Sequence, residues 1–210
     1  MKRFLRPSLL LVLLLGAAAH AQHGFHDAAR WAAQFDDPAR DAWQKPDEVI
    51  RALAPAPDAV IADIGAGTGY FSVRLARAVP HGKVIGVDIE PDMVRYLSRR
   101  AERDGLANLS AQLGAADDPH LPAKADLVLL VDTYHHIASR EDYFRRLRSS
   151  LAPDARLAII DFRRDSPYGP PPSMRIPLAE LKRELARAGF EPVAEHDFLP
   201  YQYFVVLRAR

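Results

Sequence analysis

Three groups of residues have the types and spacing for chemistry. The first is an acid followed by closely spaced glycines, Asp63-Ile64-Gly65-Ala66-Gly67-Thr68-Gly69. Glycines there permit positive φ and let the backbone approach a ligand closely. The second is Asp88, which ends the run Val84-Ile85-Gly86-Val87. An acid at the end of a second strand is placed to accept hydrogen bonds from ribose hydroxyls. The third is Asp132-Thr133-Tyr134-His135-His136, after another apolar run. Asp132, His135 and His136 are candidate proton acceptors, histidine being the side chain that titrates near neutrality. Each histidine has an equally good structural role, capping or packing the helix that follows.

The glycine spacing separates two ligand classes. A dinucleotide fingerprint reads G-x-G-x-x-G. Gly65 and Gly67 fit its first two positions, but the third falls on Tyr70. The spacing present is G-x-G-x-G. Asp63 would repel a pyrophosphate and attract a cationic ligand.

These residues need elements to hold them. Val60–Ile64 reads as a buried strand, and the predicted strands continue with 83–88, 109–113, 125–131, 156–161, 191–198 and 202–208. Helices are predicted over 46–53, 70–78, 91–104, 140–151 and 178–188, the longest begun by Pro91 and stopped by Gly105. Strands alternating with helices imply an α/β, Rossmann-like three-layer sandwich around a mainly parallel sheet. In such sheets the ligand sits beyond the carboxyl ends of the strands.

With that frame, Asp63–Gly69, Asp88 and the segment from Asp126 through Asp132 to His136 resemble the class I S-adenosylmethionine-dependent methyltransferases. The resemblance covers roughly residues 46–210. It implies a seven-stranded sheet whose last strand runs antiparallel, and S-adenosyl-L-methionine as cofactor. Gly65, Ala66, Gly67 and Gly69 would line its methionine part, with Asp63 near the amino group. Asp88 would hold the ribose, Ile89 and Met93 would flank the adenine, and Ala116 and Asp117 would lie against the adenine edge.

The first 21 residues read differently. Lys2, Arg3 and Arg6 precede a Leu/Val run and a small-residue end, Ala19-His20-Ala21. That is the pattern of a cleaved signal peptide, too short to be a spanning helix, and it predicts an exported protein, periplasmic or secreted, touching the membrane only in transit. Its removal lowers Lys+Arg from 28 to 25 against 27 Asp+Glu. The mature chain then lacks the basic excess of a nucleic-acid binder, so no nucleic-acid partner is expected.

Residues 22–45 form an amino-terminal cap segment carrying Trp31, Phe35, Trp43 and Gln44, which either cover the site or pack the first helix. The Pro-rich stretch 165–172 is a stiff loop in which Tyr168, with Arg175 beyond it, could touch an acceptor. The chain has no cysteine, which excludes thiol chemistry, including arsenite methylation through enzyme cysteines. His23 and His26 are too little for a metal site, and none is expected.

The expected activity is methyl transfer to a small-molecule acceptor. Two alternatives stand beside it: a non-catalytic exported binding protein that kept the fold, and a nicotinamide-dependent oxidoreductase. Export itself raises a difficulty, because S-adenosylmethionine is made in the cytosol.

Overall fold

The computed structural model describes residues 27–210. The expected signal peptide and the pair His23 and His26 lie outside the described residues. A cap segment comes first, with helices α1 (Ala28–Phe35) and α2 (Asp41–Gln44). The body follows: α3 (Pro46–Leu53), β1 (Val60–Ile64), α4 (Ser72–Ala78), β2 (Lys83–Asp88), α5 (Pro91–Arg103), β3 (Leu109–Leu113), β4 (Ala125–Val131), α6 (Arg140–Leu147), β5 (Leu151–Phe162), α7 (Leu178–Arg187), β6 (Phe190–His196) and β7 (Gln202–Ala209).

The strands form one seven-stranded sheet in the order β3-β2-β1-β4-β5-β7-β6. β1 to β5 are parallel, and β7 runs antiparallel between β5 and β6. The central strands are apolar because both faces are covered, as a parallel sheet requires. One face packs Ile61, Leu127, Leu129, Ile160 and Phe204 against Val49, Leu75 and Leu97 of α3, α4 and α5. The other packs Val128, Leu130, Ile159 and Val205 against Phe144 of α6 and Leu181 and Leu185 of α7. This is the three-layer sandwich the residue pattern predicts.

Several boundaries differ from the sequence reading. The helix expected from Tyr70 begins at Ser72, and the strand expected over 156–161 runs Leu151–Phe162. The helix expected to reach Leu151 ends at Leu147, continues as one 3-10 turn over Arg148–Ser150, and Leu151 already pairs with Ala125. Pro153 explains it: the residue before a proline is pushed out of the helical region. β6 stops at His196, and its ladder slips at Pro192, which has no N–H to give.

Candidate active site

Four carboxylates gather at the carboxyl edge of the sheet. Asp63 is the penultimate residue of β1, Asp88 the last of β2, Asp132 follows β4, and Asp161 is the penultimate residue of β5. The strands deliver them there because each apolar run ends at the same edge.

Beneath the glycine loop, Asp63 is buried at 3% exposure, and its Oδ2 accepts a hydrogen bond from the Ser72 hydroxyl at 2.6 Å. Burial pushes its pKa up to about 6, against the lowering effects of Ser72 and the Arg40 cation. Gly65 and Ala66 donate to the Val87 carbonyl at 2.8 and 3.0 Å, which ties the loop to β2. Gly65, Gly67 and Gly69 all have positive φ. At Gly65 a Cβ would overlap the Thr133 side chain, and at Gly69 that of Leu97. Gly67 is buried, yet only Phe35 of the cap approaches, 3.4 Å from where a Cβ would stand.

Asp88 uses both oxygens on backbone: Oδ2 accepts from Gly67 N–H at 2.8 Å and Oδ1 from Glu90 N–H at 2.9 Å. Each carboxylate oxygen keeps a second lone pair for a ligand hydroxyl. Burial raises its pKa, those backbone bonds opposing. Beside it Ile89 is 45% exposed, and Leu113, its neighbour across the ladder at the end of β3, is also exposed. Apolar surface left open next to a hydroxyl-binding carboxylate suits a flat base above a ribose. Met93, the other expected adenine neighbour, is buried at 1% exposure. Ala116 and Asp117 are exposed; the Asp117 carboxylate faces Arg146 of α6 at 3.7 Å.

On the acceptor side, Asp132 has φ of 55°, and its N–H donates to the Ile160 carbonyl at 2.9 Å. Asp tolerates the left-handed region better than most residues, and strained backbone of this kind clusters at functional sites. Its Oδ1 accepts from Gln202 Nε2, and its Oδ2 lies 3.7 Å from Arg40 of the cap. Burial, with the nearby Asp161 charge, pushes its pKa up to about 7 despite Arg40 and His135. The side chain remains 21% exposed.

His135 is held differently. Its Nδ1 lies 2.9 Å from both oxygens of Asp161, its backbone N–H donates to the same carboxylate at 3.2 Å, and its side chain is 3% exposed. His136 lies against it with ring centroids 4.1 Å apart and the rings tilted by 40°, and is exposed. Tyr203, paired with Asp161 across the ladder, buries its hydroxyl without a hydrogen bond among the described residues.

The cap lies over this edge. Trp31 stacks on Phe35 at 5.5 Å, the Asp36 carboxylate meets Arg100 at 2.7 Å, and the Arg40 guanidinium covers the Tyr70 ring at 4.1 Å. Trp43 packs against Phe162 and Tyr201, at 5.9 and 6.2 Å between ring centroids. Two surface cavities of about 450 and 360 Å³ lie away from the site, one against α3 and α4 and one at the amino ends of the strands. The carboxylates instead lie on the side the cap covers, with Arg40 beside Asp132 and Phe35 beside Gly67. Arg175, a candidate acceptor contact in the sequence, is buried and donates to the carbonyls of Arg164, Ser166 and Pro170 at 2.6–3.0 Å. It holds the loop in place and faces no acceptor.

Sequence reasoning found Asp63, Asp88 and Asp132 but missed Arg40, Asp161 and Gln202. Asp161 carried a signal, an acid closing an apolar run like the other three. Arg40 and Gln202 carried none.

A glycine loop joining β1 to α4, a ribose-type acid on β2 and a seven-stranded sheet with an antiparallel β7 define a class I methyltransferase architecture. A family model described as a methyltransferase domain matches residues 56–191, and the chain belongs to that family. An uncharacterized methyltransferase of Mycobacterium tuberculosis is 29% identical over 116 residues, 55% of this chain and 57% of that protein. The nocamycin O-methyltransferase of Saccharothrix syringae is 35% identical over 58% of this chain and 42% of its own length. The chain thus spans about half the length of these relatives. A SAM-dependent methyltransferase from Aquifex aeolicus superposes with a TM-score of 0.78 at 24% identity, over 86% of this chain and 97% of that one. S-adenosyl-L-methionine is the cofactor of this family, and the residues fit it. The acidic edge suits a sulfonium and an ammonium, Asp88 a ribose, and Ile89 with Leu113 an adenine.

Proposed function

We propose that the protein transfers the methyl group of S-adenosyl-L-methionine to a hydroxyl of a small-molecule acceptor, with Asp132 as general base. The observation that carries this reading is the placement of Asp132. It is a partly open carboxylate with a proton affinity near neutrality, and the adjoining Thr133 side chain fills the space beside Gly65. A base with a pKa near the working pH removes a proton most effectively. Among the three candidates, His135 is committed to Asp161 and nearly closed to solvent, which leaves it to hold the turn after β4. The sulfonium supplies an activated methyl; the protein aligns the hydroxyl in line and takes its proton.

Asp88 holds the ribose in this scheme, and Arg40 is the cation placed for a ligand carboxylate. The nocamycin relative's name supports an oxygen acceptor. Export to the periplasm or beyond is part of the same proposal and rests on residues 1–21 alone. Mass spectrometry of the protein from its own cell envelope checks it: an intact Met1 there would refute cleavage, and recovery of the protein from the cytosol alone would refute export.

The test of the activity uses labelled S-adenosylmethionine and a panel of hydroxylated small molecules. Asp132→Asn should lower turnover about 100-fold or more while S-adenosylmethionine affinity, read by calorimetry, stays within about threefold. Wild-type turnover should rise with pH through about 7, as the carboxylate loses its proton. Full activity in Asp132→Asn would overturn the assignment.

A further inference from the structure

Four side chains close a ring across the boundary between cap and body. Arg40 Nε donates to Gln44 Oε1 at 3.1 Å, and Gln44 Nε2 donates to Gln202 Oε1 at 2.6 Å. Gln202 Nε2 donates to Asp132 Oδ1, and Arg40 Nη2 faces Asp132 Oδ2. Gln44 and Gln202 are both fully buried. The direction of the ring is forced by its ends. Arginine only donates and a carboxylate only accepts, so both amides must point the same way.

We propose that Gln44 and Gln202 are positioning residues, and that through this ring docking of residues 38–45 and orientation of the Asp132 carboxylate are a single event. It rests on the reading of Asp132 as the acceptor-side base. Two buried amides cost free energy unless each polar atom is paired. Trp43 already packs the cap against Phe162 and Tyr201, and Asp36 and Asp41 tie it to Arg100 and Arg74 without either amide. The amides add direction: Gln202 fixes which oxygen of Asp132 stays bonded and leaves the carboxylate's remaining lone pairs for the acceptor. Gln44 carries that constraint to α2, so the base is set only with the cap in place. Arg40, Asp161, His135 and Tyr203 are the charged or titratable groups facing Asp132, from the cap, β5, the turn after β4 and β7.

The test reverses one amide. Glu at position 44 can only accept, so Gln44→Glu draws Gln202 Nε2 toward itself and turns Gln202 Oε1 onto Asp132. Two facing oxygens hold a proton between them. The Arg40 contact to residue 44 survives, so the cap stays docked. In full-length protein carrying 13C-carboxyl aspartate, with the Asp132 signal identified through Asp132→Asn, its titration midpoint should rise by about one pH unit. An unchanged or lower midpoint overturns the ring. Gln202→Leu reads the coupling from the other side. Amide exchange across residues 38–45 should quicken at least tenfold although the substitution lies in β7; wild-type exchange there would refute the coupling. Calorimetry of wild type with S-adenosylhomocysteine tests the cofactor reading separately. Failure to bind would sink the methyltransferase reading and leave both ring measurements standing on their own.

Discussion

At the scale of single residues, Asp63 shows how a binding site is kept against stability. Its folded pKa of about 6 exceeds the ordinary 3.8, so its contribution to stability is present below about pH 4 and lost as pH rises through about 6. Asn at this position can still accept from Ser72 but carries no charge to bury. Asp63→Asn should therefore be more stable than wild type near pH 7.5, by at most about 3 kcal/mol, and no more stable near pH 4. Urea denaturation at the two pH values reads this directly. A gap that stays constant or narrows with pH would show that burial is not what raises the Asp63 pKa. The same variant should bind S-adenosylmethionine more weakly, since the charge that costs stability is the one that faces a cationic ligand.

At the scale of elements, the three loop glycines are not equivalent. Gly65→Ala forces a Cβ into Thr133 at a φ of 76°, directly after β1 and with its N–H tied to the Val87 carbonyl of β2. It should cost about 2–4 kcal/mol in denaturant unfolding. Gly67→Ala meets only Phe35 and should cost about 1 kcal/mol, yet weaken S-adenosylhomocysteine binding more than tenfold, because strain at this φ disturbs the Gly67 N–H bond that sets the Asp88 carboxylate. Equal destabilisation by the two would mean that the loop serves packing alone. The elements themselves were legible. Strands β1, β2 and β4 fall where the apolar runs place them, since strands covered on both faces leave no polar alternation to misread, and the edge strand β3 falls on its predicted Leu-Ser-Ala-Gln-Leu stretch. The helix end near Leu147 was less so, because helical periodicity continues into a segment that Pro153 and the pairing of Leu151 pull into β5. The ring was not legible as a ring: Asp132 and Gln44 stood out singly, but nothing linked them. Gln44 and Gln202 lie 158 residues apart, and a glutamine reveals its partner only when the fold brings one.

At the scale of the whole molecule, the two cores on either face of the sheet are complete without the cap, whose α1 buries only Ala28. The cap is held by dispersed contacts: Asp36 to Arg100, Asp27 N–H to Asp92 at 3.0 Å, Phe35 over Gly67, and the ring. A unit of this kind opens locally while the body stays folded. Once it opens, further damage to its contacts costs the body nothing, so any set of cap substitutions can lower global stability by no more than the docking free energy. Phe35→Ala and Asp36→Asn should each lower it, but the double variant should lose less than the sum, a departure from the additivity usual for independent sites. Amide exchange should locate the loss. Residues 28–35 should exchange faster in all three variants, and Leu127–Leu130 of β4 should stay as protected as in wild type. Full additivity, with β4 loosening in step, would mean that cap and body unfold as one. The proposed link between cap docking and base orientation would then have no separate equilibrium on which to act.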